Sequence, residues 1–520
     1  MTDFLAGNVG ANAAERQQTD EHHSTRVVPE TSPHGYGQPG LRWPRLMYVR
    51  RSLTVITVIA GVVLAGCGSP TSSPGHPASS QAAATGAAAS GASVGEACDA
   101  GRPTGAGSPA ARPAVNTAAF AGRGQLAFVS SGRLFVLDGS FAGRPATLHT
   151  VAAPGGATAP AWSPDGRWLA FLVVPPPPYP VVSDPTGTLW LAHADGNAAH
   201  PVLANAGPFS WSPATDVLAA TVTNPASGRS WLCELKPGIP PHLVPGVTGP
   251  AVWSPDGRQL AFTTILSNPQ RGFYGSKLET IAAGGGTPVV RRSSSQAALL
   301  VAGWWPDGQG LMAWADEQGS ASLAADGQSL LSFPLEGGRP ATLGFTLLFS
   351  PFLATSPAQR LVAVDNGGDR VLWDDKTILL CAPAGGCTGL PGGVPRATNL
   401  DPALSPAGPA LAFVHADAAL SRAQTFDQKS IAAWYATRSL WVYVPGGLAH
   451  QISNAGTGVA DPTWSSGGKL LLYVRDDGLW LIGPFAGSTR AIQVVGRLFS
   501  GAWPNYYAYI DWRDQFAWRS

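Results

Sequence analysis

This 520-residue chain contains five cysteines, and the chemistry of a cysteine thiol depends on its surroundings. Cys67 directly follows an uncharged apolar run of about 14 residues, 52–65, which in turn follows Arg50 and Arg51. That run is shorter than the roughly 20 residues of a membrane-spanning helix, but it fits the core of a secretory signal behind a basic segment. A buried core helix is the alternative interpretation. The spacing therefore predicts an exported chain with a thiol at its cleavage site.

The tetrapeptide Leu64-Ala65-Gly66-Cys67 resembles the lipobox of bacterial lipoproteins. The resemblance implies that diacylglyceryl is attached to the Cys67 sulfur, that acyl chains of the palmitate type follow, and that the chain is cleaved before Cys67. Two or more acyl chains on one residue give stable membrane anchoring. The expected location is therefore the extracytoplasmic face of the cell membrane, with the lipid anchor as the contact to the bilayer.

The region before this signal leaves two points open. Met47 would make an ordinary start for a signal peptide over residues 47–66, so residues 1–46 are either a polar N-terminal extension or the product of a misplaced start codon. Arg50-Arg51-Ser52-Leu53 also resembles a twin-arginine signal, so the general secretory and twin-arginine routes both remain open.

Residues 67–119 are predicted to form the lipidated cysteine and a tether. From residue 68 to about 117 the composition is almost entirely Gly, Ala, Ser, Pro and Thr, which cannot bury enough apolar surface to offset the entropy of ordering. As a flexible coil of about 50 residues, this tether would have a reach on the order of 40 Å.

Four further cysteines are expected in an oxidising compartment if the chain is exported. Cys381 and Cys387 bracket the Gly-rich turn Ala-Pro-Ala-Gly-Gly, which favours a local disulfide. Cys98 and Cys233 are then either a second disulfide or two free thiols. No CxxC pair or Cys/His cluster is present, so neither a metal nor another cofactor is expected.

Composition and charge exclude several classes of protein. Lys plus Arg is 33 and Asp plus Glu is 32, so no basic excess is available to bind nucleic acid. Only 12% of residues are charged, and 63 Gly with 47 Pro argue against long charged helices and coiled coils. Arg outnumbers Lys by 28 to five, a bias typical of GC-rich coding such as that of actinobacteria.

No catalytic motif is found in the sequence. It lacks the G-x-S-x-G, H-E-x-x-H and GxxxxGK[ST] patterns, so the chain is not expected to be an enzyme. The densest acidic group comprises Asp365, Asp369, Asp374 and Asp375. We expect it in a solvated hairpin loop, with a calcium site as the alternative.

A repeat of 40 to 60 residues runs through most of the chain, and its folded form would position any functional site. Residues 161–171, AWSPDGRWLAF, recur as residues 252–262, VWSPDGRQLAF. Weaker copies give anchor positions at Trp211, Trp304, Phe349, Leu404 and Trp464. Ser-Pro-Asp-Gly suits a type I turn between two strands, and Leu-Ala-Phe suits a short buried strand. Each copy therefore predicts one four-stranded sheet, which must stack on its neighbours to bury both faces.

The repeat resembles that of TolB and of prolyl-oligopeptidase-type propellers, over roughly residues 120–518. The resemblance implies an all-β fold, a β-propeller of four-stranded antiparallel blades. Seven anchors are visible, and the two chain ends supply fragments: residues 125–148 for three strands, and Gly501–Pro504 with Tyr506–Ile510 for a first strand and beyond. Merging the ends favours eight blades, with seven as the alternative.

Three expanded loops predict a binding face. Within a blade, the loop between strands two and three emerges on the same face as the loop to the next blade, and these loops are long at residues 175–187, 266–276 and 415–438. Long loops on a rigid scaffold are common binding surfaces, and exposed aromatic and Arg side chains are common interface anchors. The candidate residues are Tyr179, Arg271, Phe273, Tyr274, Phe426, Lys429, Trp434 and Tyr435. The alternative is that these aromatics fold back over the rim.

These observations favour a lipid-anchored extracytoplasmic propeller that binds or scaffolds another protein of the cell envelope. The alternative is a carbohydrate- or peptide-binding protein, or an enzyme of the lyase or glycosidase type, with its site at the propeller channel. Paired carboxylates from different blades meeting at the channel would favour the alternative.

Overall fold

The fold is almost entirely β-sheet in a computed structural model that describes residues 98–99, 112–174, 186–268, 273–316, 327–348, 350–367, 376–383, 386–391, 397–417, 428–485, 490–498 and 510–520. One α-helix, α1 (Gln428–Tyr435), and three short 3₁₀ turns interrupt the strands in these ranges. None of the described helices is long and apolar enough to cross a membrane.

The described strands build eight four-stranded antiparallel units, which we number as blades 1 to 8. Blade 1 contains β1 (Gly124–Ser130), β2 (Arg133–Gly139), β3 (Thr147–Thr150) and, from the other end of the chain, β31 (Phe516–Arg519). Blades 2 and 3 share one sheet of β4 (Ala157–Trp162), β5 (Trp168–Val173), β6 (Gly187–His193), β7 (His200–Trp211), β8 (Leu218–Thr223), β9 (Ser230–Lys236) and β10 (Ile239–Val244). The sheet is continuous because the long strand β7 pairs with β6 through its first half and with β8 through its second.

Blades 4 to 8 are separate sheets. Blade 4 contains β11 (Ala251–Trp253), β12 (Gln259–Asn268), β13 (Phe273–Ala282) and β14 (Val289–Ser294), and blade 5 contains β15 (Ala298–Trp304), β16 (Gly310–Asp316), β17 (Gln328–Pro334) and β18 (Ala341–Thr346). Blade 6 contains β19 (Leu353–Ser356), β20 (Leu361–Asn366), β21 (Thr377–Cys381) and β22 (Cys387–Gly389). Blade 7 contains β23 (Ala397–Leu404), β24 (Leu411–Asp417), β25 (Ser439–Tyr443) and β26 (His450–Gln451), and blade 8 contains β27 (Val459–Trp464), β28 (Leu471–Arg475), β29 (Gly478–Ile482) and β30 (Ile492–Val495).

The Ser-Pro-Asp-Gly turn forms as its residue types predict. In blade 4 the Ser254 hydroxyl donates to the Asp256 carboxylate at 2.6 Å and accepts from the Gln259 backbone N–H at 2.9 Å. The hydrogen bond from Ser254 lowers the pKa of Asp256 below its usual value. Gly257 has a φ of +66°, a conformation that Gly adopts without steric cost. The turn therefore fixes the hairpin between the first two strands of the blade.

Anchor tryptophans join five of the blades to the preceding blade. The indole N–H groups of Trp162, Trp211, Trp253, Trp304 and Trp464 donate to backbone carbonyls of the preceding blade at 2.9–3.1 Å. In each case the acceptor is the residue just before the preceding anchor position, as in Trp253 to Ser210. Repetition of one bond between neighbours, together with contacts between successive first strands, places the first strands on the inside of the ring.

Blade 6 corrects one predicted anchor. Ser350–Phe352 form a 3₁₀ turn, and the first strand is Leu353–Ser356, so the anchor position is Thr355 rather than Phe349. Ser356 and Pro357 then match the Ser-Pro of the other repeats. The repeat was misaligned because Thr stands where most copies have Trp.

The ring closes with a strand from the C-terminus, although not the predicted one. Strand β31 pairs antiparallel with β1, Leu126 opposite Trp518 and Phe128 opposite Phe516. The predicted closure strand at Gly501–Pro504 lies outside the described residues, and Ile510, at the end of Tyr506–Ile510, is not in a strand. Blades 8 and 1 share an apolar core in which Leu472 and Val474 pack with Leu126 and Phe128. Eight blades therefore form the ring.

Two disulfides are present. Cys381 is bonded to Cys387 across the edge of blade 6, and Cys98 is bonded to Cys233 in β9. Two described parts of the predicted tether contact the blades, since the carbonyl of Asp99 accepts from Ala204 in blade 2 and the N–H of Asn116 donates to Val494 in blade 8. Predicted segments 1–46 and 47–66, and the lipidation site Cys67, lie outside the described residues.

Candidate functional site

First strands of several blades carry a β-bulge with one residue in the left-handed region. In blades 7 and 8 these residues are Asp401 and Asp461, with φ of +51° and +44°, and in blade 2 the residue is Ala159. The register of each strand shifts at the bulge. Asp tolerates this conformation better than most residues, and a bulge redirects the side chain that it carries. Both carboxylates belong to the Asp-Pro dipeptide that precedes the anchor.

Asp401 and Asp461 lie against each other across the boundary between blades 7 and 8. The backbone N–H of Asp461 donates to Oδ2 of Asp401 at 3.1 Å. Each residue is 6% exposed. Arg513, in the turn before the closure strand, places its Nε 3.4 Å from Oδ1 of Asp461. Two buried carboxylates and one partly exposed guanidinium are thereby brought together on the inner side of the ring.

Three further charged groups border the same place, two from blade 6 and one from the segment after α1, and the charge of Asp401 acts on one of them, Asp365. Asp365, at the end of β20, is 1% exposed, Lys376 is 1% exposed and Arg438 is 3% exposed. Within the described residues, neither carboxylate oxygen of Asp365 nor Nε and Nη2 of Arg438 has a hydrogen-bond partner. We call Asp365, Asp401 and Asp461 the carboxylate cluster. Lys376, Arg438 and Arg513 balance its three formal negative charges.

Helix α1 holds Arg438 in place. The guanidinium carbon of Arg438 lies 4.6 Å from the ring centroid of Trp434 and 4.1 Å from that of Tyr435. The Tyr435 hydroxyl accepts a hydrogen bond from the indole N–H of Trp512 at 3.3 Å. Stacking on two aromatic faces favours a cation that has been taken out of water. The helix thus connects the carboxylate cluster to the C-terminal closure segment.

Burial is the largest influence on the pKa values of Asp461 and Asp365. It raises the pKa of Asp461 to about 7, against the opposing effect of Arg513 and with a further increase from Asp401 and Asp511. Burial also raises the pKa of Asp365 well above its usual value, although the charge of Lys376 opposes this. A carboxyl with a pKa near 7 can exchange a proton at neutral pH, as a general acid or base must. Buried structural ion networks shift pKa values in the same way.

Only some of the predicted binding residues lie within the described residues, and these differ in exposure. Tyr179, Arg271 and Phe426 lie outside the described residues, as do the side chains of Phe273 and Tyr274 in β13. Lys429 is exposed at the start of α1. The prediction that Trp434 is an exposed anchor is wrong, because it is 1% exposed and packs with Ile431 in the core between blades 7 and 8. Tyr435 is partly buried against the same core. The helical spacing of Ile431 and Trp434 turns both inward.

Among the described residues of the loop face, the hairpin of blade 4 presents exposed apolar side chains. Strands β12 and β13 are ten residues each and pair from Gln259 opposite Ala282 to Asn268 opposite Phe273, while the first strand of the blade pairs only with residues 260–262. The hairpin therefore extends past β11 on the face of the loops between second and third strands. Near its end, Ile265 is 48% exposed and Leu266 is 38% exposed.

The carboxylate cluster was not predicted from the sequence. Asp365 was expected in a solvated loop and is buried instead, and no role was predicted for Asp401 or Asp461. Their shared Asp-Pro dipeptide, three residues before the anchor in two successive repeats, was the available signal. Among the residues that the structure describes, no group of three or more His, Cys, Asp or Glu side chains is arranged to hold a metal ion.

Comparison with known proteins gives similarity to solved structures only. No protein-family model and no curated protein matches the sequence. Among solved structures, similarity is found to prolyl endopeptidases (10% identity, TM-score 0.43, 66% of this chain and 50% of that chain). It is also found to a putative TolB from Agrobacterium tumefaciens (16%, 0.32, 51% and 88%) and to the β-propeller domain of the Trilobed protease from Pyrococcus furiosus (11%, 0.38, 63% and 94%). The chain spans half the length of the prolyl endopeptidase that it matches, and the likeness concerns the fold alone.

Proposed function

We propose that this chain is a lipid-anchored extracytoplasmic propeller that binds a protein of the cell envelope and serves as a scaffold for it. The lipobox-like tetrapeptide ending at Cys67 supports the anchor. Two disulfides, between Cys98 and Cys233 and between Cys381 and Cys387, support an oxidising compartment. The closed ring of blades supplies a rigid platform for binding loops.

The projecting hairpin of blade 4 is the observation that carries the binding role. Ile265 and Leu266 stand next to each other in β12, so their side chains point to opposite faces of a two-stranded ribbon, and both are exposed. Aliphatic side chains on both faces of a projecting ribbon cannot be covered by one surface of their own blade. A protein partner that takes up the ribbon would bury them and provide favourable free energy.

Affinity purification from detergent-solubilised membranes tests this role. The full chain should retain a specific envelope protein, and the double variant Ile265→Ser/Leu266→Ser should lose it. Ile239→Ser is the matched control, because Ile239 is 57% exposed but opens the fourth strand of blade 3, next to the turn from the third strand and therefore on the other face. Equal recovery of the partner by the hairpin variant and by the control would refute the assignment to the hairpin.

A second function of another class is supported by the carboxylate cluster. Asp401 and Asp461 meet from different blades, and the pKa of Asp461 lies at about 7. A carbohydrate- or peptide-binding site, or a lyase or glycosidase type of site, at the inner side of the ring would use such groups. Thermal-shift measurements with a panel of short oligosaccharides and peptides test it. A compound that stabilises the wild type but not Asp461→Asn would support this function, whereas no stabilisation by any compound would count against it.

A further inference from the structure

Three consecutive blades each expose one large apolar side chain in the turn between their third and fourth strands. Leu448 in blade 7 is 72% exposed, Phe485 in blade 8 is 54% exposed and Phe141 in blade 1 is 70% exposed. Because the blades have the same strand order from the inside of the ring outward, these turns lie on one face, which we call the turn face. The hairpin of blade 4 projects from the other face. We call these three residues the apolar tips.

The charged side chains near the apolar tips are mainly basic. Arg144 and Arg490 lie in the same turns as Phe141 and Phe485, and both are exposed. Lys469, in the turn between the first and second strands of blade 8, is exposed on the same face. Within the part of the chain that the structure describes, none of these three cations forms an ion pair. We call them the surface cations.

The sequence of the three turns, 140–146, 444–449 and 483–491, contains no acidic residue. Asp138, just before the first of these turns, is partly buried, and its carboxylate accepts from the Ser140 hydroxyl at 2.6 Å. The surface around the apolar tips therefore has a positive charge.

The equivalent turns of other blades differ. Those of blades 2 and 5 contain Asp195 and Glu336 and expose no large apolar side chain. In blades 3 and 4 the exposed apolar residues Ile239 and Val289 lie in the fourth strand rather than within the turn. Among the described residues, exposed large apolar side chains within these turns thus belong to three neighbouring blades.

A groove beside the turn of blade 8 combines an apolar wall with one of the surface cations. It has a volume of about 620 Å³ and lies between β30 and residues 114–118. Arg490 lines the groove next to the turn, and Ile492, which is 46% exposed, lines it further along β30. This volume is within the range of small-molecule sites. A cation beside an apolar wall suits a lipid, which has an anionic phosphate and apolar acyl chains.

We propose that the turn face of blades 7, 8 and 1 binds the surface of an anionic lipid bilayer. The apolar tips enter the boundary between headgroups and acyl chains, and the surface cations contact lipid phosphates. Burial of exposed apolar side chains and attraction of cations to anionic headgroups both favour this contact. A bilayer is an extended surface, so it contacts all three blades at once, which a small ligand cannot do.

Bilayer binding goes beyond the proposed function and does not require an acyl chain on Cys67. In a lipid-anchored chain it would fix the orientation of the ring. The hairpin of blade 4 lies on the face opposite the bilayer in this orientation, so Ile265 and Leu266 stay accessible to a protein partner.

Hydrogen exchange measured by mass spectrometry locates the contact. The sample is the full chain with Cys67→Ser, which cannot receive a lipid at that position. Vesicles of phosphatidylcholine and phosphatidylglycerol should slow exchange in the three turns at least about threefold, and vesicles of phosphatidylcholine alone should slow it less. Peptides of the blade 4 hairpin should exchange at the same rate in every sample. Exchange in the three turns that is unchanged by anionic vesicles would overturn the proposal.

Substitution of the apolar tips tests their role by the same measurement. In Phe141→Ser/Leu448→Ser/Phe485→Ser, made in the Cys67→Ser chain, anionic vesicles should no longer slow exchange in the three turns. The tips are exposed, so their loss should leave the fold intact.

The matched control is Ile265→Ser/Leu266→Ser/Phe345→Ser, which removes three exposed apolar side chains from the other face and should keep the full effect of the vesicles. Equal slowing in the tip variant and in this control would contradict the assignment to the apolar tips. Loss of the lipid anchor or of the envelope partner would change neither measurement, so the proposed function can fail without affecting this test.

Discussion

The backbone N–H of Asp461 donates to Oδ2 of Asp401 across the boundary between blades 7 and 8, from one bulge of an inner strand to the equivalent bulge of its neighbour. Both residues are buried, and a third carboxylate, Asp365, is buried in the adjacent blade. Taking carboxylates out of water favours their protonated form unless cations compensate. The free energy of unfolding should therefore depend on pH, and substitution of a carboxylate with a raised pKa should change that dependence.

Asp461→Asn should flatten that pH dependence. The pKa of Asp461 is raised from 3.8 to about 7, so the folded state binds more protons than the unfolded state between these values, and stability falls as pH rises from about 4 to about 7. Each pH unit within this interval changes the free energy of unfolding by about 1.4 kcal/mol. Asn keeps the oxygen that faces Arg513 but cannot ionise. The variant should gain stability relative to the wild type by a few kcal/mol between pH 4 and pH 7.

Denaturant unfolding at a series of pH values measures this difference. Asp256→Asn is the control, because the pKa of Asp256 is lowered, and its effect on the pH dependence lies below pH 4. A difference between Asp461→Asn and the wild type that stays constant from pH 4 to pH 8 would show that Asp461 does not titrate in this range.

Phe516→Ala should weaken the ring closure. Phe516 opens strand β31, is 5% exposed and packs in the core shared by blades 8 and 1. Removing a buried Phe side chain costs about 3–5 kcal/mol. Phe141→Ala, at a position that is 70% exposed in blade 1, should change stability by less than about 1 kcal/mol. Equal unfolding free energies for the two variants would show that Phe516 does not stabilise the ring closure.

Trp434→Ala and Lys429→Ala should separate structural from surface positions on α1. Trp434 is buried between blades 7 and 8 and stacks on Arg438, so its loss should lower the unfolding free energy by about 3–5 kcal/mol. Lys429 is exposed, and its substitution should have an effect of no more than about 0.5 kcal/mol. Thermal unfolding of both variants measures the contrast. A stable Trp434→Ala protein would return Trp434 to the candidate binding face.

The repeat could be predicted because its turn chemistry is local. Ser254, Asp256 and Gly257 each have a role within one turn, so their types and spacing are visible in the sequence. Where a copy keeps only part of that pattern, the repeat was misaligned. In blade 6, Thr355 stands where most copies have Trp, and in blade 1 only the Trp of the pattern remains, as Trp518 in β31.

The candidate site could not be predicted because it depends on the closed ring. Asp365, Asp401 and Asp461 are separated by dozens of residues, and only the stacking of blades 6, 7 and 8 brings them together. Arg513 reaches Asp461 only after the C-terminal turn has docked. Helix α1 has a buried face and an exposed face. Its sequence alone does not show that Arg438, just after the helix, is buried as well.

The mass of the N-terminal fragment of the protein extracted from membranes tests the central claim most directly. The account predicts a mature chain that begins at Cys67, carries a diacylglyceryl group on its sulfur, and is recovered from the membrane fraction. A chain recovered from the cytosol with residues 47–66 still attached and Cys67 unmodified would contradict the proposed location and the binding role that depends on it.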